Sequence, residues 1–388
     1  MNKLILNFST FFSLVFISLF LSACGGGSTL EATSTGERGE LISSSLISSK
    51  QAVPYKVDAY KVVYSTVDSQ GLPINVSGLL AIPQKNSDSK SPLLSYQHGT
   101  IFLDAEAPSI SATSINGIST LSGMGFIVSA PDYIGYAESS SVIHPYMHAE
   151  TLANTAIDML SASKTFLQQK NIQLNAQLFL TGYSEGGYAT LALQKKLQEA
   201  HKNEFSVTAS AAGAGPFDLT ETAKTIAKKT TNSKPAFISF LLKAYDEIYT
   251  LNVISEMYQP AYVSIINNYF DGQHSGSQVT TDLSQTTSEL FNAPFLAALL
   301  GNDPNIIKDK LALNNIYDWK PTAPTRFSHG LLDEVVPYHN AQTTLITMQN
   351  NGATNVSLGD CFANSHTDCV IPFVLDTVNF FSGYANDL

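Results

Sequence analysis

Gly182-Tyr183-Ser184-Glu185-Gly186-Gly187 lies between a short apolar run, Ala176-Gln177-Leu178-Phe179-Leu180-Thr181, and a helical stretch from Glu185 to about Leu197. The run has the length and composition of a strand buried on both faces. Where a strand turns sharply into a helix, side chains beside the turning residue would clash, so small residues flank it. The same turn exposes the serine oxygen at a helix N-terminus, where the helix dipole favours developing negative charge. A bare G-x-S-x-G is weak evidence, because composition alone often produces it. Its strand–turn–helix setting makes Ser184 a strong candidate nucleophile.

Outward from this turn, short strand-like and helical patterns alternate. Tyr60 to Ser65 and Ile74 to Ala81 read as a pair of strands joined by Gly71-Leu72-Pro73. Pro92 to Gln97, Gly125 to Ala130, Phe205 to Ala212, Thr325 to Ser328 and Asn355 to Leu358 are further short runs. Helical patterns occupy Glu150 to Leu167, Asn340 to Gln349 and Ile371 to Phe381. Such alternation predicts an α/β fold whose mostly parallel central sheet is flanked by helices. About 100 residues separate the strands near Ala212 and Thr325, far more than a loop needs. Residues 219–320 read as a helical cap insertion, and aromatics such as Phe237, Phe240, Tyr245, Tyr258 and Phe291 as its small core. A cap over the C-terminal edge of the sheet would shape a pocket for an apolar substrate.

In this kind of fold the partners of a nucleophilic serine follow at later strand ends, acid first and histidine second. His329-Gly330-Leu331-Leu332-Asp333-Glu334 follows the Thr325 strand and offers Asp333, with Glu334 as its competitor. Cys361-Phe362-Ala363-Asn364-Ser365-His366-Thr367-Asp368-Cys369 follows the Asn355 strand and offers His366. The histidine would take the serine proton, and the aspartate would fix its tautomer. The oxyanion hole would draw on the backbone N–H of Glu185 and that of Thr100 in Gln97-His98-Gly99-Thr100, with Gly99 or Ile101 as its one-residue alternatives and His98 a scaffold residue. Asp132 and Tyr133 fit a turn role better than a place lining the site. His144, His148 and Glu150 are ligand-type residues, but no third ligand or H-E-x-x-H pattern accompanies them, so neither metal nor cofactor is expected.

The chain has 388 residues, 44% hydrophobic and 14% charged, which suits a globular protein. Its net charge of −11 argues against a nucleic-acid partner, because no basic stripe is present. Residues 1–23 read as an export signal, with Lys3 ahead of an apolar run from Leu4 to Leu21. Leu21-Ser22-Ala23-Cys24 resembles the bacterial lipobox, which implies lipidation of Cys24 and a membrane anchor; a plain cleaved signal or an uncleaved anchor helix is the alternative. Gly25 after it resembles the outer-membrane sorting preference. Residues 24–52, rich in Ser, Thr and Gly, read as a flexible tether, so that the folded domain would span 53–388. Export leaves Cys361 and Cys369 in an oxidising compartment, where a disulfide between them would bracket His366.

The Gln97–Thr100 loop, Pro131-Asp132-Tyr133, the Gly182–Gly186 turn, the long cap and the late Asp333 and His366 resemble the α/β-hydrolase superfamily, and within it the secretory-lipase (lipase A-like) branch. The resemblance spans roughly residues 55–385. It implies carboxylester or triacylglycerol hydrolysis through an acyl-enzyme. The partner expected is a small-molecule or lipid ester, and the protein is expected to be a monomer. A serine peptidase or aminopeptidase on the same scaffold is the alternative, although the region before Tyr55 is too short for the extra propeller domain such peptidases often carry. A non-catalytic binding protein is disfavoured by the complete set of Ser184, Asp333 and His366.

Overall fold

A computed structural model describes residues 36–301, 304–361 and 365–388. The expected signal, the lipobox and Cys24 lie outside the described residues.

One sheet organises the molecule. Its strands, in chain order, are β1 (Leu41–Lys50), β2 (Val57–Val67), β3 (Pro73–Pro83), β4 (Lys90–Gln97), β5 (Ile127–Pro131), β6 (Gln173–Tyr183), β7 (Val207–Gly213), β8 (Thr325–His329) and β9 (Val356–Asp360). The spatial order is β1-β2-β3-β5-β4-β6-β7-β8-β9. The strands from β1 through β3 to β5 pair antiparallel, and every pairing from β5 to β9 is parallel. The chain thus has the α/β-hydrolase fold, with a mixed rather than wholly parallel sheet.

Parallel strands need crossovers, and helices supply them. These are α1 (Ala112–Gly123), α2 (Ala149–Gln169) and α3 (Glu185–Ala200). Between β7 and β8 the cap contributes α4 (Leu219–Lys228), α5 (Pro235–Ile248), α6 (Ile254–Met257), α7 (Pro260–Asn268), α8 (Gly276–Asp282), α9 (Thr287–Leu290), α10 (Ala293–Leu300) and α11 (Ile306–Leu313). After it come α12 (His339–Asn350) and α13 (Val370–Ser382).

The central strands read as continuous apolar runs because both faces are covered. Leu93, Ile127, Leu178 and Leu180 point to a cluster shared with Leu160 and Phe166 of α2 and Leu197 of α3. Their neighbours Leu94, Val128 and Phe179 point the other way, onto Ile118 of α1 and Phe373 and Phe381 of α13. Period-two alternation places one residue on each face in turn. In the cap, Phe240, Tyr245, Tyr258 and Phe291 are buried in a cluster that continues through Phe217 and Phe327 into the sheet edge. The cap's aromatics therefore form its core and fuse it to the sheet.

The start of the fold corrects an expectation. Residues 24–52 read as a flexible tether, yet Leu41–Lys50 is a strand paired antiparallel with β2 from Leu41↔Tyr64 to Lys50↔Val57. Arg38 forks onto Asp158 of α2, with Nε 3.1 Å from Oδ2 and Nη2 3.2 Å from Oδ1. The strand lies at the sheet edge and buries only Leu41, so its stability comes from backbone hydrogen bonds and its side chains can be serine. The folded domain begins before residue 53. A second element without a sequence signal is α1, whose Ser111 N-cap accepts from the Ser114 N–H.

Candidate active site

The parallel strands end along one edge. Gln97 pairs with Gly182, Tyr183 with Gly213, Gly213 with Ser328, and His329 with Asp360. The loops leaving those ends converge above the sheet, where α/β folds assemble their sites.

Ser184 sits between the end of β6 and the first residue of α3, with φ 60° and ψ −122°. A positive φ in a residue with a Cβ is strained and persists only where the surroundings impose it. Here its N–H donates to the Gly213 carbonyl at 2.8 Å, tying the turn to β7. The flanking glycines are sterically required. A Cβ on Gly182 would lie 2.3 Å from the Gly186 carbonyl oxygen, and one on Gly186 would lie 2.1 Å from that of Gln97.

His366 Nε2 stands 2.9 Å from Ser184 Oγ, and its Nδ1 stands 2.6 Å from Asp333 Oδ2. A carboxylate only accepts, so Nδ1 carries the ring proton and Nε2 offers its lone pair to the serine hydroxyl. Asp333 Oδ1 accepts from the N–H groups of Val335 (2.9 Å) and Val336 (2.8 Å). Burial alone would raise the Asp333 carboxyl, but hydrogen bonds and charge from His329 and His366 outweigh it and hold the pKa well below the usual carboxylate range. Glu334, the neighbouring carboxylate, binds the backbone instead, its Oε2 accepting from the His366 N–H at 3.1 Å. The Tyr183 hydroxyl donates to the His366 carbonyl at 2.7 Å. Cys361 and Cys369 form a disulfide across the same loop.

His329 enters the site although the sequence marks it only as part of the turn before Asp333. Its ring is fully buried, with Nε2 2.9 Å from the Val336 carbonyl and 3.2 Å from Asp333 Oδ2. A second imidazole therefore faces the same carboxylate oxygen as His366. The only sequence signal is that His329 and Asp333 stand four residues apart, and only the fold of the turn shows that both bend inward.

Gly99 brings the loop after β4 against the turn at Ser184, since a Cβ there would be 3.1 Å from the Tyr183 carbonyl oxygen and 3.8 Å from Ser184 Cβ. Thr100 follows it, and its Oγ1 is 2.9 Å from the Tyr146 hydroxyl. His98 points both ring nitrogens at carbonyls, Gly99 at 2.7 Å and Asp132 at 3.2 Å, and packs at a tilt against Tyr133. Asp132 is buried and accepts from Ser77 and Ser109. These are scaffold contacts. His144 and His148 diverge: His144 meets Glu185, whereas His148 Nδ1 meets Thr151 Oγ1. Among the described residues no three His, Cys, Asp or Glu side chains are grouped to hold a metal ion.

Over Ser184 lies a small apolar cavity of about 40 Å³, walled by Met147, Leu219, Ile226, Phe237, Leu241 and Val336. Two of its walls, α4 and α5, belong to the cap.

The secretory lipase family profile matches residues 104–372, more than half of the chain and inclusive of Ser184, Asp333 and His366. The chain belongs to the secretory lipase family. It is similar to the rice cell wall degrading esterase LipA from Xanthomonas oryzae, with 25% identity over 90% of this chain and 100% of that one and a TM-score of 0.82. A putative hydrolase from Legionella pneumophila is similar at 25% identity, covering 89% of this chain and 98% of that one, also with a TM-score of 0.82. Candida antarctica lipase A in its closed state shares the fold at 16% identity, with 91% and 84% coverage and a TM-score of 0.67. No curated protein matches the chain. Membership places the protein among ester-hydrolysing lipases and esterases that are exported.

Proposed function

We propose that this protein hydrolyses carboxylic esters through an acyl-enzyme on Ser184. The observation that carries the reading is His366, which bridges Ser184 Oγ and Asp333 Oδ2 at 2.9 and 2.6 Å. Ser184 Oγ attacks the ester carbonyl as its proton passes to His366 Nε2. The resulting imidazolium faces Asp333, whose lowered pKa keeps it a carboxylate throughout. The tetrahedral oxyanion is received by the N–H of Glu185 and that of Thr100. Glu185 is the first residue of α3, so its N–H has no carbonyl partner within the helix. Collapse expels the alkoxide, which takes the proton from His366. Water then attacks the acyl carbonyl as its proton passes to the same nitrogen; the bond to Oγ breaks, the acid leaves and His366 returns the proton to Ser184.

The cavity beside Ser184 holds roughly three waters' worth of space at about 10–15 Å³ each. That volume fits a short acyl group, so the preferred substrates are esters of short acids. At the N-terminus, Cys24 is the lipidated first residue of the mature protein, supported by the lipobox-like Leu21–Cys24 and membership in a secretory family.

The test is hydrolysis of p-nitrophenyl esters with acyl chains of increasing length, beside aminoacyl amides, with Ser184→Ala as control. Short esters should turn over best and the variant should be inactive. Turnover of amides alone would overturn ester hydrolysis, and a preference for long acyl chains would overturn the short-acid assignment.

A further inference from the structure

The reaction above uses the backbone of Glu185 and leaves its side chain unexplained. That side chain is fully buried, and Oε1 lies 2.6 Å from His144 Nε2, itself buried. His144 Nδ1 is 2.7 Å from the Ile134 carbonyl. A carbonyl can only accept, so Nδ1 carries a proton, and the Nε2–Oε1 contact holds a second one. The pair is therefore an imidazolium facing a carboxylate, or the same neutral pair with the shared proton on Glu185. Four rings enclose the His144 imidazole: Tyr136 at 4.9 Å, Tyr133 at 5.7 Å, Phe240 at 5.9 Å and Tyr146 at 6.1 Å between centroids.

Burying such a pair requires stripping water from both groups, and apolar residues of similar size usually serve stability as well or better. Glu185 Oε2 is moreover buried with no hydrogen-bond partner among the described residues. An arrangement that adds little to stability points to another role. Its position supplies one. Tyr146, two residues after His144, has its hydroxyl 2.9 Å from Thr100 Oγ1. Phe240 of α5 stacks on Tyr146 at 4.7 Å and 10°. Both residues whose amides are assigned to the oxyanion hole are thus held, through their side chains, by the 144–146 segment and a ring from the cap.

We infer that His144, the Glu185 side chain and Tyr146 are positioning residues that aim the Glu185 and Thr100 amides at the oxyanion, and that Phe240 seats this assembly against the cap. The inference rests on the reading of Ser184 as nucleophile. Because the oxyanion exists only after attack, misdirected amides lower kcat while leaving KM nearly unchanged.

The full-length protein, Glu185→Leu, Glu185→Gln and Tyr146→Phe are compared for kcat and KM on p-nitrophenyl acetate and for inhibition by a trifluoromethyl ketone, whose adduct on Ser184 carries the same oxyanion. Removing an oxyanion donor outright lowers kcat by about 10²–10³-fold, so a displaced one should lower it by about 10- to 100-fold in Glu185→Leu. Glu185→Gln can still bond His144 and should recover most of that loss. Tyr146→Phe keeps the ring stack, disturbs no buried charge and should lower kcat by roughly three- to tenfold. Ketone inhibition should weaken in proportion to kcat/KM, with KM within about twofold. If Tyr146→Phe and Glu185→Leu fold with unchanged kcat, or lose only KM, the positioning role is wrong. Equal losses in Glu185→Leu and Glu185→Gln would also overturn it. Ser184→Ala, assayed beside them, separates the two levels: its full activity removes the nucleophile, whereas its inactivity beside an unchanged Tyr146→Phe removes this inference alone.

Discussion

Replacing Asp333 by Asn should abolish activity through a tautomer, and the surrounding contacts fix the direction. Asp333 Oδ1 accepts from two backbone N–H groups, those of Val335 and Val336. An asparagine must place its carbonyl oxygen there, because its amide nitrogen would meet two donors. Its NH2 then faces His366 Nδ1, where Oδ2 stood at 2.6 Å. The ring can accept that bond only by moving its proton to Nε2, which then points at Ser184 Oγ and cannot take the serine proton. Loss of the correct tautomer in such triads lowers kcat by about 10⁴, equivalent to roughly 5.5 kcal/mol. The same NH2 meets His329 Nε2–H, a donor 3.2 Å from Oδ2. Two buried donors facing each other should cost about 1–3 kcal/mol of stability. Steady-state kinetics on p-nitrophenyl acetate and thermal melting report both effects. An Asp333→Asn protein retaining a tenth or more of wild-type kcat would show that neither the orienting amides nor the tautomer matters.

Cys361→Ser, or reduction of the wild type, should lower kcat and loosen the loop carrying His366, with about 2–3 kcal/mol of stability lost for a loop this short; unchanged kcat after verified reduction would show that the bridge does not hold the catalytic loop. A chain beginning at residue 51 lacks β1 and the Arg38–Asp158 contact, and should melt below the full-length protein with β2 exposed as an edge; equal melting would restore the tether reading. Because the pKa of Asp333 is depressed by folding, its contribution to stability is complete above the unfolded carboxylate range and is lost as pH falls below about 4. Acid titration of unfolding should therefore be shallower in Asp333→Asn than in the wild type, and identical slopes would contradict the shift.

The features legible in the sequence are those with a local rule behind them. Buried parallel strands announce themselves as apolar runs, and a serine that must adopt positive φ among glycines does so within six residues. The order of acid and histidine then locates Asp333 and His366 from the strands preceding them. β1 stays hidden because an edge strand is held by its backbone, so Ser43, Ser44 and Ser45 look like linker. α1 is rich in Ser, Thr and Gly and carries a weak helical stripe. The pairing of His144 with Glu185 spans 41 residues, and no local pattern reports a contact that only the fold creates. Glu334 shows the same limit: nothing in the turn's sequence says which carboxylate meets the ring and which meets the backbone.

The reaction proposed for Ser184 requires a covalent intermediate on one oxygen. Acid quenching during turnover of p-nitrophenyl acetate, followed by peptide mass analysis, tests it directly. An acetyl group is expected on the peptide containing Ser184 and absent in Ser184→Ala. Steady turnover with no acetylated peptide, or acetylation at another residue that survives in Ser184→Ala, would contradict it.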